Sequence, residues 1–239
     1  ENPDDYTKGF PTHPHRGIET FTYLMRGRID HEDSLGNAGS IVDGGCQWMT
    51  AGSGILHQEM PQASRRMLGL QLWINLPRAR KMVDPQYRDI RSEMVPRVED
   101  GGALVTVVAG DYNGVAGATR GDYVDVVFLD VTLRPGVLWS VATRPQDTVF
   151  AYMVEGECEL AGGGEIPHRN ACLFTPGDSL SLVGGPEGAR FVLFSGAPLH
   201  EPVAWGGPIV MNTDEELRQA FFELEDGTFI RHAPQGQAG

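Results

Sequence analysis

Short runs of apolar and β-branched residues, broken by glycine, proline, aspartate and asparagine, set the pattern of this chain. Thr20–Leu24 reads Thr-Phe-Thr-Tyr-Leu, Met67–Leu76 alternates in part and stops at Pro77, and Leu104–Ala109 and Tyr123–Leu133 are rich in valine. Val149–Val154 and Arg190–Ser195 have the same character. The clusters between them, such as Asp33-Ser-Leu-Gly-Asn37, Arg134-Pro-Gly136 and Thr175-Pro-Gly-Asp178, are turn-formers. Short strands with such punctuation predict an all-β sandwich or barrel. One helix is expected near the C-terminus. Thr213-Asp-Glu-Glu216 forms a capping box, Leu217, Ala220, Phe221 and Leu224 recur at helical spacing, and Gly227 stands at the stop. Its phenylalanines are expected in the core.

A weak internal repeat organises the strands. Tyr23-Leu-Met-Arg-Gly27 matches Tyr152-Met-Val-Glu-Gly156 at an offset of 129, and Thr50-Ala-Gly52 matches Thr175-Pro-Gly177 at 125. Two similar barrels are the expectation, divided as 1–118, 119–211 and a helix with tail at 212–239.

Composition narrows the functional classes. Of 239 residues, 41% are hydrophobic, enough for a core, and the net charge is −13. Such a chain has no general affinity for phosphate backbones, so direct nucleic-acid binding is not expected. Lys81, Arg88, Arg91 and Arg97 are interrupted by acids and prolines and read as a solvated surface. No apolar run has the length of a membrane span. The cysteines, Cys46, Cys158 and Cys172, are odd in number and form no CxxC pair. They read as small buried hydrophobes in a reducing compartment, hence a cytoplasmic location, or a nuclear one in a eukaryote. The chain begins at Glu1 rather than Met, so a trimmed fragment is expected.

The chemistry concentrates in two histidine motifs, His13-Pro-His15 and His57-Gln-Glu59. Residues two apart on a strand share a face, so each pair can aim at one point. Three imidazoles and a carboxylate suit one divalent transition ion, whether iron, manganese, nickel, copper or zinc, and leave positions open for substrate. Glu19 is a rival carboxylate, in the pattern HxHxxxE, and spacing does not choose between it and Glu59. Under the repeat, His13 and His15 fall on Ala142 and Arg144, while His57 and Glu59 fall on Leu182 and Gly184. One metal per chain is therefore expected, in the first half. His31, His168, His200 and His232 are isolated and read as surface or hydrogen-bonded residues. Groups that orient the histidines are expected around the ligands; Gln47, Trp48, Met49 and Gln71 sit in predicted strands, though sequence does not place them, and Trp48 and Trp73 are expected in the core.

HPHRGIETFTYLMRG (13–27), HEDSLGNAG (31–39), QWMTAGSGILHQEMP (47–61), LQLWINLP (70–77) and GAPLHEPVAWGGPIVMNT (196–213) closely resemble the pirin family. The resemblance implies a bicupin of two jelly-roll barrels with a short C-terminal helix, and further strands before the first motif. It also implies one iron(II) in the N-terminal barrel, with the family's ligands carried onto His13, His15, His57 and Glu59, which selects Glu59 over Glu19. Two departures stand beside the ligands. Gln58 replaces a serine and could alter the pocket's hydrogen bonds, and Ile18 replaces a phenylalanine. Bacterial members resemble quercetin 2,3-dioxygenases, which open a flavonol ring with O2 and release carbon monoxide. For that chemistry Glu59 is the candidate catalytic residue, shifting from ligand to general base for the 3-hydroxyl, a role that rests on its chemistry and not on the resemblance. Animal members resemble iron-dependent transcriptional co-regulators. The implied partners are a phenolic substrate and O2, or a protein partner for the regulatory reading.

Overall fold

A computed structural model describes residues 2–232. The chain forms two compact units, 1–92 with 200–239 and 93–199. The division at 118 and 211 read from sequence runs differently. The Ala103–Ala109 strand pairs with Val126–Leu133, and the segment after His200 is assigned with the N-terminal strands. The tail at 233–239 lies outside the described residues.

The first unit is a sandwich of two four-stranded antiparallel sheets. One sheet contains β1 (Phe10–His15), β3 (Arg28–Asp33), β4 (Ala38–Val42) and β6 (Ile55–Gln62), in the order β1-β6-β3-β4. The other contains β2 (Ile18–Arg26), β5 (Cys46–Thr50), β7 (Leu68–Asn75) and β8 (Gln86–Ile90), in the order β7-β2-β5-β8. Strict alternation is clearest in β6, where Ile55, His57, Glu59 and Pro61 are buried and their neighbours are not. Such alternation places one set of side chains between the sheets.

The hairpin Ala204–Gly206 and Ile209–Met211 returns to this unit. The Val210 amide donates to the Arg16 carbonyl. Gly17, at the β1–β2 corner, takes φ +77°, and a Cβ there would overlap the Val210 carbonyl oxygen. The corner therefore requires glycine. Lys81 closes the same junction. It is buried, and its Nζ donates to the carbonyls of Gly17 and Val210 and to Asn75 Oδ1. Burial pulls its pKa down to about 8. This corrects the surface reading of Lys81. Arg88 also departs from it, since its guanidinium lies over the Trp48 ring.

The predicted helix α1 spans Asp214–Glu225 with both halves of the Thr213–Glu216 capping box formed. Ala220 is buried, and Leu217 and Leu224 pack on the cluster of Ile209, Met211 and Phe229. Phe222, however, is 60% exposed and Phe221 is only partly covered, so the phenylalanine pair is not a core stripe.

In the second unit, Val126–Leu133 and Thr148–Leu160 pair with the long strand Ser179–Gly196, whose first half also pairs with Leu138–Ala142. The core holds Trp139, Leu182, Phe191 and other apolar residues, with Cys158 among them. The repeat is visible in the backbone. Tyr23 and Tyr152 occupy equivalent strands, and the ladder shifts register between Leu24 and Arg26 in one and between Met153 and Glu155 in the other. At the position matched to His57, Leu182 is fully buried in that apolar core. Cys46 and Cys158 are buried and all three cysteines are free thiols. Among the described residues, no helix is long and apolar enough to cross a membrane.

Candidate metal centre

β1 and β6 bring the two motifs side by side, with His13 directly opposite His57. Opposed residues in an antiparallel pair point to one face. The ring nitrogens of His13, His15 and His57 accordingly offer three ligand atoms within 4.8 Å of one another. Ring centroids lie 4.3 Å apart for His13–His57, 4.8 Å for His13–His15 and 5.0 Å for His15–His57.

The far side of two rings is already engaged. His13 Nδ1 faces the Pro11 carbonyl at 2.9 Å and His15 Nδ1 faces the Pro208 carbonyl at 3.0 Å. A carbonyl can only accept, so each Nδ1 carries the proton and each Nε2 presents its lone pair. These two Nε2 atoms are 3.1 Å apart. His57 is 1% exposed, and neither of its ring nitrogens has a hydrogen-bond partner. An unpartnered buried imidazole costs stability unless something else binds it. The donor set therefore fits a metal ion bound by imidazole.

Burial, opposed by the Pro208 carbonyl and assisted by His13, pulls the His15 pKa down to about 4. Burial, with His15, His13 and His31 adding to it, pulls His57 down to about 2. Both rings stay neutral in the folded protein, while the unfolded chain takes up a proton on each near pH 6.5. Falling pH thus favours the unfolded chain. The metal-free protein is expected to lose stability from about pH 6.5 downward, by up to about 1.4 kcal/mol per pH unit for each ring. Urea unfolding at pH 7, 6 and 5 checks this, and equal stabilities would contradict it.

Among the described residues the group of convergent ligand atoms consists of the three imidazoles, with neither Glu59 nor Glu19 in it, and the two carboxylates have different partners. Glu59 is buried on the same face of β6 as His57. Thr22 Oγ1 donates to its Oε1 at 3.1 Å, and Gln71 Nε2 donates to Oε1 at 3.0 Å and Oε2 at 2.8 Å. Glu19 lies three residues before Thr22 on β2, so alternation turns it to the opposite face. There it accepts from Thr50 Oγ1 at 2.7 Å.

Of the two alternatives for His31, surface or hydrogen-bonded, the second holds: it is buried in β3 opposite Glu59, and its ring stacks on Tyr87 at 4.9 Å. Gln47 Nε2 approaches its Nδ1 at 2.9 Å and Asp33 its Nε2 at 3.4 Å. Trp48 is core, but Trp73 is 39% exposed, and its ring meets His15 edge-on at 5.1 Å. Gln58 points away from the site to Glu32 Oε2, so it leaves the pocket's hydrogen bonds alone. Ile18 packs with Met49, Ile55 and Val210.

A cavity of about 630 Å³ opens beside the imidazoles. Leu24, Ile29, Pro61, Met67, Leu70 and Trp73 form apolar walls, His13, His15, Glu59, Thr22 and Gln71 supply polar atoms, and Asp5 and Lys8 also line it. The volume is that of a small-molecule site, roughly 300–1,000 Å³.

Comparison with known proteins agrees with this architecture. Residues 1–74 match the Pirin family model and residues 128–230 match the Pirin C-terminal cupin domain. A Pseudomonas aeruginosa protein provisionally named a quercetin 2,3-dioxygenase is 45% identical over 95% of this chain and 82% of its own length. A Thermoplasma acidophilum protein with the same provisional name is 37% identical, over 97% of this chain and 96% of its own. The crystal structure of a quercetin 2,3-dioxygenase from Acinetobacter baumannii superposes with a TM-score of 0.85 at 33% identity, covering 92% of this chain and 79% of that one. Two β-barrel units, a three-histidine cluster in the first and sequence kinship along nearly the whole length lead to one assignment: the chain is a bicupin and belongs to the pirin family.

Proposed function

We propose that this protein is a metal-dependent dioxygenase that opens the heterocycle of a flavonol such as quercetin, with one iron(II) held by His13, His15, His57 and Glu59. The observation that carries the reading is the pairing of three convergent imidazoles, one with both buried nitrogens unpartnered, with a large apolar-walled cavity beside them. An iron-bearing regulator without turnover, the other reading, requires no such cavity.

When bound, a divalent iron supplies positive charge beside the substrate's 3-hydroxyl and coordination positions that the protein does not fill. The residues do the rest. Glu59 accepts from every partner it has here, Thr22 and Gln71. It is thus set up as a carboxylate able to take the 3-hydroxyl proton. The apolar walls keep water from the deprotonated ring and strengthen the electrostatics within. Overall, one O2 is consumed and carbon monoxide and a ring-opened ester acid leave.

The test is anaerobic purification, loading with iron(II), addition of quercetin and O2, and measurement of quercetin loss with carbon monoxide release. Equal amounts of quercetin consumed and carbon monoxide formed are expected, with turnover lost in Glu59→Gln. A protein carrying one iron per chain that consumes no quercetin would overturn the proposal.

A further inference from the structure

A continuous hydrogen-bond chain runs from the cavity wall to Glu59. The Trp73 indole Nε1–H donates to Gln71 Oε1 at 3.0 Å. Gln71 Nε2 donates to Thr22 Oγ1 at 3.0 Å and to both oxygens of Glu59, and the Thr22 hydroxyl donates its proton to Glu59 Oε1. The two Gln71 amide hydrogens serve three acceptors, so one of them is shared between two oxygens. An indole nitrogen can only donate, so it settles which end of the Gln71 amide carries the oxygen. Both amide hydrogens then face Thr22 and Glu59. If the amide were reversed, an NH2 group would face the indole N–H, and an oxygen would face the carboxylate.

The placement of these groups follows from the sheets. Thr22 and Gln71 are directly opposed on β2 and β7, and they reach across the sandwich to Glu59 on β6. Trp73, two residues beyond Gln71, shares its face of β7 and contacts the His15 ring. Its indole is half-exposed into the cavity, so its hydrogen bond is made at the wall where a ligand would lie.

Building on the reading of Glu59 as a metal ligand, we propose that Trp73 is a positioning residue, which acts through the Gln71 amide to hold the Glu59 carboxylate in its working orientation. Trp73 is thus more than a packing surface for substrate. Its N–H is the fixed end of the device, and Gln71 is the part that transmits it.

The experiment is an anaerobic titration of the metal-free protein with cobalt(II) alone, read by calorimetry and by the visible absorption of the bound ion, which reports its coordination. Four variants are compared with the wild type: Trp73→Phe, which keeps a ring and removes the donor, Gln71→Met, the two together, and His57→Leu. Each single change in the relay is expected to weaken binding by roughly 10- to 100-fold and to alter the absorption, as loss of a group that orients a ligand does. The double variant is expected to bind no more weakly than Gln71→Met, because the two act in series. Wild-type affinity and spectrum in Trp73→Phe, or additive losses in the double variant, would overturn the proposal. Cobalt binding that survives in His57→Leu would overturn the metal site itself, and the relay with it.

Discussion

Replacing His57 with leucine is expected to abolish metal binding while leaving the metal-free protein as stable as before, or more so. The two effects have one cause. His57 is 1% exposed and both of its ring nitrogens lack a hydrogen-bond partner. Leucine has a similar volume and removes both unpaired atoms, which are worth roughly 1–3 kcal/mol of destabilisation when buried. A residue present only for packing would show the reverse, a loss of stability without loss of ligand. Affinity for iron(II) should fall by more than about 100-fold, beyond the roughly 10- to 100-fold range seen for groups that merely orient ligands. Urea unfolding of the metal-free proteins and anaerobic iron titration measure the two sides. Retained iron binding in a destabilised variant would contradict the assignment.

The second large effect is structural. Arg16 is buried, next in sequence to His15, and its Nε donates to the Ser53 carbonyl at 2.7 Å. Its guanidinium also donates to Glu223 Oε2 at 2.8 Å and to the Phe229 carbonyl at 3.1 Å, and lies 4.1 Å from the Phe229 ring centroid. One side chain thus ties α1 and the segment after it to the corner that carries His15. Arg16→Met should cost about 3 kcal/mol, the low end of the range for removing one partner of a buried ion pair. The low end applies because Glu223 keeps Arg231 and Gln219 as donors. Glu223→Gln should cost less, since it keeps the shape and one acceptor. Equilibrium unfolding of both variants checks the order, and an Arg16→Met protein within about 0.5 kcal/mol of wild type would contradict the account.

What the sequence shows of this molecule is mostly its local periodicities. HxH and HxE on strands declare a shared face because alternation is a property of the strand alone. The capping box at Thr213–Glu216 is equally local, and the helix begins where it predicts. The hidden parts depend on distant chain. His15 is oriented by the Pro208 carbonyl, 193 residues away. Lys81 carries the same residue type as a surface lysine, and only the meeting of Gly17, Asn75 and Val210 makes it a buried clamp. Trp73 reads as core because aromatic residues in apolar strands usually are, yet its strand borders a cavity that no short pattern announces. Gln71 reads from sequence as a strand residue and no more, because its partner Glu59 belongs to the facing sheet. Spacing alone does not distinguish Glu19 from Glu59, because the difference lies in what each meets across the fold: Glu59 on β6 meets Thr22 of β2, whereas Glu19, three residues before Thr22, turns to the other face and meets Thr50.

The central claim is that a metal ion sits where the imidazoles of His13, His15 and His57 converge. The most direct measurement is anomalous X-ray diffraction, at the iron absorption edge, from crystals loaded with iron(II) without oxygen. The account predicts one strong peak per chain, within coordination distance of the three imidazoles and of a Glu59 oxygen. A peak at any other place, or none at full iron loading, would contradict it.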